Sequence, residues 1–363
     1  MRRRDVMAMS VGAFVASAFG VRALGDALST TGVPEDEALS RRYDRERRFV
    51  ATRFGRIAYV ERGAGPVALF LHGFPLNSFQ WRGVIQQLSG ERRCVAPDAM
   101  GLGCTEVAPG QSVAPGAQAD MLIAFLESLA IDRVDLIAND SGGAIAQLFV
   151  SRHPQRVRTL LLTNCDVEIQ SPPSALRPLI ELAHDGLYPE LYLEPWLEDT
   201  ALARSRTAGL GGMCYTDPAH PTDAAIEQYL GPLVASAERK ALVNRYLAAL
   251  ETSPLHGLEP VLRVCRVPTR IVWGMADTIF SKDDPEYPAK TLPRVTGIRR
   301  VPEEGSSFPR NTRTSSRRRR VCSGVRLKHR DRLTTDRSPM KCPSCGGDSA
   351  APETHTSGAD DKR

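Results

Sequence analysis

Val134-Asp-Leu-Ile-Ala138 is a short apolar run that stops at Asn139-Asp-Ser-Gly-Gly143, and a helical pattern sets in at once towards Val150. A strand, a turn of small residues and a helix with nothing between them fit an α/β protein better than an all-α or all-β one. The side chain at the apex of such a turn stands clear of the sheet. The residues two places either side of the apex must be small, because the turn leaves no room for bulk. With Asp140 at the apex those flanks are Ala138 and Gly142, both small. With Ser141 they are Asn139 and Gly143, and Asn139 is bulky. The register favours a carboxylate at the apex over a hydroxyl.

The rest of the chain agrees with that class. Phe49–Phe54 and Ile57–Arg62 read as strands joined at Gly55, and Val67–Leu71 is a continuous apolar run of the kind buried on both faces. Cys94–Ala96, Arg158–Thr163, Thr269–Trp273 and Gly297–Val301 are further short strands, with helical spacing at Ala117–Leu129 and after the turn. Strand and helix alternate, which predicts a mostly parallel sheet with helices on both faces. After Asp166 the pattern changes. Residues 167–262 carry prolines, most of the tyrosines and amphipathic stretches at Leu176–Ala183, Ala224–Ala235 and Glu238–Leu250, and read as an inserted helical cap. The core is then 48–166 and 263–309. With 363 residues, 42% of them apolar, one large core can be buried.

Both ends differ from this body. Arg2-Arg3-Arg4-Asp5-Val6-Met7, an apolar stretch to Val21 and the small residues near Gly25 make 1–25 a signal peptide resembling a twin-arginine export signal. That implies a periplasmic or secreted protein, a retained anchor or a cytoplasmic location being the alternatives. The apolar run is short for a membrane span, so no stable membrane partner is expected. Residues 26–47 are polar and charged and read as a linker. Residues 310–363 hold 14 Lys/Arg against six Asp/Glu and carry +8, whereas residues 1–309 sum to −3 within a whole-chain +5. The body therefore has no nucleic-acid footprint. The eight cysteines show no framework spacing, and the Cys342-Pro-Ser-Cys345 pair has only Cys322 and His329 near it, at irregular spacing, so no metal is expected.

His72-Gly-Phe-Pro75, Asp98-x-x-Gly-x-Gly103, the turn at Asp140 and Trp273-Gly-x-x-Asp277 stand in an order and spacing that resemble the α/β-hydrolase superfamily, in its branch of epoxide hydrolases and haloalkane dehalogenases. The likeness covers residues 48–309. It implies an α/β-hydrolase fold with an inserted cap, no cofactor, and a small hydrophobic epoxide or alkyl halide as substrate. Asp140 would attack carbon and form an ester on the protein. The backbone N–H groups of Phe74 and Ser141 would form the oxyanion hole. Asp277 would be the acid of the triad, with Asp166 in the other place this branch can put it, and His153 is structural. Ser141 and Phe74 stand where dehalogenases usually carry side-chain halide donors, which weighs against halide release. Tyrosines in the cap would protonate an opening epoxide, and Tyr188, Tyr192, Tyr215 and Trp196 are the candidate substrate-binding residues, with Tyr229 and Tyr246 also available.

One element of the resemblance is missing. The family's histidine base precedes Phe-Pro after the last strand, and here Ser307 stands at that place in Ser306-Ser307-Phe308-Pro309. From Ser306 onward apolar residues nearly vanish and ten arginines fall between Arg310 and Arg337. The C-terminal helix is read as lost, and 310–363 as a disordered tail or a shifted reading frame. A two-base shift of a back-translation can spell an amphipathic closing helix. A one-base shift can spell His-Phe-Pro, so the ancestral base stays open. Without a base an ester would form and stall. A Ser141 esterase and a non-catalytic ligand-binding protein are the alternatives.

Overall fold

The computed structural model describes residues 32–302 except Thr216 and Thr278, with side chains from Glu37 onward. The signal-like start at 1–25, Ser307 and the 310–363 tail with its cysteine pair lie outside the described residues. Nine strands are described: β1 (Arg48–Thr52), β2 (Gly55–Arg62), β3 (Val67–Leu71), β4 (Arg93–Pro97), β5 (Glu106–Val107), β6 (Val134–Asp140), β7 (Val157–Cys165), β8 (Thr269–Gly274) and β9 (Val295–Val301). They form one sheet in the order β1-β2-β4-β3-β6-β7-β8-β9, with β5 paired to β2. β4, β3, β6, β7, β8 and β9 run parallel, while β1, β2 and the β2–β4 pairing are antiparallel.

Every residue of β3 is buried, as its uninterrupted apolar run predicts. Leu69, Leu136 and Leu160 form one row across β3, β6 and β7, each at most 1% exposed. Excluding side chains of that size from water stabilises by about 1.5–3 kcal/mol each. Register carries the row to the site. Leu71 pairs with Ala138, Ala138 with Leu162, and Thr163 with Val272. The C-terminal ends of β3, β6, β7 and β8 therefore lie side by side, and the loops leaving them share one edge, where open α/β sheets bind ligands.

Between β7 and β8 the chain is largely helical, including Arg177–His184, Glu194–Glu198, Asp223–Val234 and Ala237–Ala248. The stretch read as a linker is a correction: Gly32–Glu46 is a helix. Its mostly polar sequence hides two apolar residues one turn apart, Leu39 and Tyr43, and both are buried. Tyr43 stands edge-on to Phe79, ring centroids 4.9 Å apart. From the cap, Gln228 Nε2 donates to Ser40 Oγ and Asp44 Oδ1, each at 2.9 Å. No helix among the described residues is long and apolar enough to cross a membrane.

Candidate active site

Asp140 ends β6 and caps the helix Ser141–Arg152 with φ 55° and ψ −134°. A non-glycine residue at positive φ is strained and persists only where its surroundings over-determine it. Two glycines supply that constraint. A Cβ on Gly142 would stand 2.5 Å from His72 O, and one on Gly73 would stand 2.4 Å from Asp140 Cβ. The crowding that selects small residues at the flank is thus backbone against backbone. Gly143 is equally crowded, against Cys165. The positive φ, which falls on Asp140 and not on Ser141, separates the two registers.

Asp140 is partly buried. Its Oδ1 accepts from Phe74 N at 2.9 Å and from Ser141 N at 2.6 Å. Burial pushes its pKa above the ordinary carboxylate value, and hydrogen bonds from Ser141 and Phe74 pull it part of the way back. The Phe74 N–H points this way because the carbonyl of the same peptide is held on the other side. Gly73 O receives Leu76 N and His72 Nδ1, each at 2.9 Å. His72 is consumed by this duty, since its Nε2 accepts from Ala99 N at 3.0 Å. Asp98 is likewise structural: its carboxylate receives Ser78 N and Cys104 N.

Two amides that sequence reasoning passed over tie this turn to β6. Gln80 Oε1 accepts from Gly73 N at 3.0 Å, and Gln80 Nε2 donates to Asn139 Oδ1 at 2.7 Å. Asn139 Nδ2 in turn donates to Thr163 O, Thr163 Oγ1 and Asn164 O. Nothing in a single sequence marks Gln80, because its partners come from other strands.

Asp277 follows β8 and is 7% exposed. Its Oδ1 receives Ile279 N at 2.8 Å and Phe280 N at 3.2 Å, and its Oδ2 receives Asn164 Nδ2 at 2.6 Å. Burial pushes its pKa up to about 7, with Asp140's charge adding to the rise. Asn164, also unanticipated, sits at φ 22° and clasps the backbone of Gly274 through both ends of its amide. Asp166 bonds Ser171 Oγ at 2.9 Å, and burial raises it to about 7.

A cavity of about 20 Å³ lies against Asp140 and Gly73, with Phe74, Leu76, Met213 and Ile279 as its apolar walls. Of the expected cap residues, Tyr188 comes nearest: its ring packs on Phe74 at 5.6 Å, and its buried hydroxyl has no partner among the described residues. Tyr192 stacks on Tyr188 and meets Trp196 edge-on, while the Trp196 indole N–H is spent on Ala208 O at 3.0 Å. Tyr215 donates to Tyr229 Oη at 3.5 Å, and Tyr229 meets Arg82. None of Tyr188, Tyr192, Tyr215 and Trp196 is among the described residues lining the cavity. Tyr246 stacks on Phe74 at 5.7 Å and shares a hydrogen bond with Ser141 Oγ at 3.1 Å. Other described histidine rings meet other partners: His153 packs on Phe149, His184 faces Glu251 and His220 faces Asp217. Among the described residues no His, Cys, Asp or Glu group is arranged to hold a metal ion.

A sequence profile of the α/β-hydrolase fold matches residues 66–182. The chain is similar to haloalkane dehalogenase 2 of Mycobacterium bovis, 27% identical over 257 residues that span 70% of this chain and 84% of that one. Its fold matches the solved structure of an epoxide hydrolase without ligand, with TM-score 0.58, 20% identity, and coverage of 71% of this chain and 90% of that one. It also matches a thermophilic esterase from Thermogutta terrifontis, with TM-score 0.54, 22% identity, and coverage of 71% and 90%. One fold carries both kinds of hydrolase, so the reaction has to be argued from the site.

Proposed function

This chain belongs to the α/β-hydrolase superfamily, beside its haloalkane dehalogenases and epoxide hydrolases, and we propose that it attacks a small hydrophobic epoxide or alkyl halide through Asp140. The observation that carries the reading is the convergence of Phe74 N–H and Ser141 N–H on one oxygen of a partly buried carboxylate held at a strained turn. With Oδ1 so fixed, Oδ2 is the attacking oxygen. It bonds to the substrate carbon, the C–halogen or C–O bond breaks, and its electron pair leaves with the halide or alkoxide. An alkoxide takes its proton from a cap phenol. Tyr188 and Tyr246 are the candidates for that duty, because both rings pack on Phe74 at the nucleophile's turn.

Clearing the ester needs water at the Asp140 carbonyl carbon, with the developing charge on Oδ1 met by the same two N–H groups. No histidine among the described residues is hydrogen-bonded to Asp140 or Asp277, so water attack is the slow step and the alkyl-enzyme accumulates. A Ser141 nucleophile fits less well, since its N–H serves Asp140 and its hydroxyl is engaged with Tyr246.

Incubation of the purified chain with 1-bromobutane should add one butyl group, and with 1,2-epoxybutane one hydroxybutyl group, mapped by mass spectrometry to the peptide containing Asp140. Asp140→Ala should add none. Ester turnover surviving in Asp140→Ala would replace this reading with the serine esterase. A ligand-induced thermal shift with neither adduct nor product would replace it with a binding protein.

A further inference from the structure

Gln80 lines the cavity but has no reacting atom to offer, and its amide is used at both ends inside the protein. The direction of that amide is forced. Asn139 Nδ2 lies 3.0–3.2 Å from Thr163 O, Thr163 Oγ1 and Asn164 O. Two of these are carbonyls, and the Thr163 hydroxyl donates onward to Ala138 O at 3.2 Å, so all three must accept. Asn139 therefore presents its Oδ1 to Gln80, and only Gln80 Nε2 can meet it. Oε1 is left for Gly73 N–H. The polarity set at the end of β7 is passed through two side chains to the turn that carries Phe74.

We infer that Gln80 is a positioning residue for the oxyanion site of Asp140. The Gly73–Phe74 peptide is gripped on its carbonyl side by Leu76 N and His72 Nδ1. Gln80 grips the preceding N–H and fixes the other end of the hinge about which that peptide could turn. Gln80 itself is set in place by the short 3₁₀ helix Ser78–Trp81, whose start is capped by Asn77 and held by Asp98. Removing the amide would leave Gly73 N–H and Asn139 Oδ1 buried without partners, and the turn would relax to satisfy them.

This inference rests on Asp140 as the nucleophile, and its test begins from the same adduct. The full chain is alkylated with 1-bromobutane and then treated with hydroxylamine. The hydroxylamine nitrogen attacks the Asp140 carbonyl carbon, the bond to the butyl oxygen breaks, and butanol leaves with the proton, while the charge in between sits on Oδ1. Loss of a single oxyanion donor costs about 10²–10³-fold in rate. Misaiming one through Gln80→Met should slow hydroxylamine cleavage by about tenfold or more, and adduct formation much less. Where the wild type clears its ester unaided, the same ratio is read on water-driven release.

Gln80→Glu keeps the acceptor for Gly73 N–H but opposes a carboxylate to Asn139 Oδ1. Its rate relative to wild type should recover as pH falls and the new acid becomes a donor, a readout that a loss of packing would not give. Cleavage of the Gln80→Met adduct at the wild-type rate overturns the inference and leaves Asp140 standing. If Gln80→Met does not fold, a flat pH ratio for Gln80→Glu overturns it. A wild type that forms no adduct on Asp140 removes the underlying reading itself.

Discussion

Asp140, partly buried at the end of β6, and Asp277, buried after β8, stand on the same edge of the sheet with β7 between their strands, yet they are held in opposite ways. At Asp140 two backbone N–H groups converge on one oxygen, and the second is left to the cavity side. At Asp277 donors reach both oxygens, two backbone N–H groups on one and the amide of Asn164 on the other. A triad acid needs an oxygen for a histidine N–H. Asn164 Nδ2 takes one lone pair of Oδ2 at 2.6 Å, and that oxygen has a second for such a donor. The contrast teaches that burial alone does not decide how a carboxylate is held: donors reach both oxygens of Asp277 and converge on one oxygen of Asp140.

The sharpest test of that contrast sets the two side by side. Asp140→Ala should abolish alkylation by 1-bromobutane, while Asp277→Asn should leave its rate unchanged in intact-mass time courses. Equal loss in both would erase the distinction. Next in size is the crowding around Asp140. Gly142→Ala drives a methyl group to 2.5 Å from His72 O, a backbone atom that cannot swing away. Overpacking of this kind should cost about 3 kcal/mol, read as a lower denaturant midpoint. A wild-type midpoint would mean that the turn is not tight.

On the Asp277 side, Asn164→Gly removes the amide without adding strain at φ 22° and leaves a buried carboxyl oxygen unmatched. The expected loss is about 1–3 kcal/mol. If stability is unchanged, Asp277 is not held as described.

The most gradual effect is the pH dependence. Asp277 and Asp166 ionise near 7 in the folded chain, against about 3.9 for a free aspartate, so between those values the folded state binds more protons than the unfolded one. Their contribution to stability should fall as pH rises from about 4 to about 7 and level off above, by at most about 1.4 kcal/mol per pH unit for each group. Asp277→Asn should flatten that slope in thermal melts, and an unchanged slope would place the titration elsewhere.

Sequence reasoning reached the parts of this site whose logic is local. The small flanks of Asp140, the His72-Gly73 turn and the aspartate after β8 are each visible within a few residues of one another. The fold followed from the same kind of signal, an alternation of apolar runs and helical spacing. The polar links were out of reach. Gln80 and Asn139 are 59 positions apart, and Asn164 and Asp277 are 113 apart. Neither pair has a composition that distinguishes it from surface amides. The helix Gly32–Glu46 was hidden for a related reason: its two apolar residues acquire meaning only against Phe79 and the cap.

The sequence by itself determined that a sheet strand turns sharply into a helix at Asp140, because steric crowding at a tight turn is enforced by immediate neighbours. It also determined the alternating α/β order and the absence of a histidine before Phe308-Pro309. Only the tertiary structure decided which N–H groups face Asp140, that Asn164 holds Asp277, and that Gln80 links Gly73 to Asn139. Those are hydrogen bonds between separate strands and loops, and their partners are chosen by sheet register, which residue order alone does not specify.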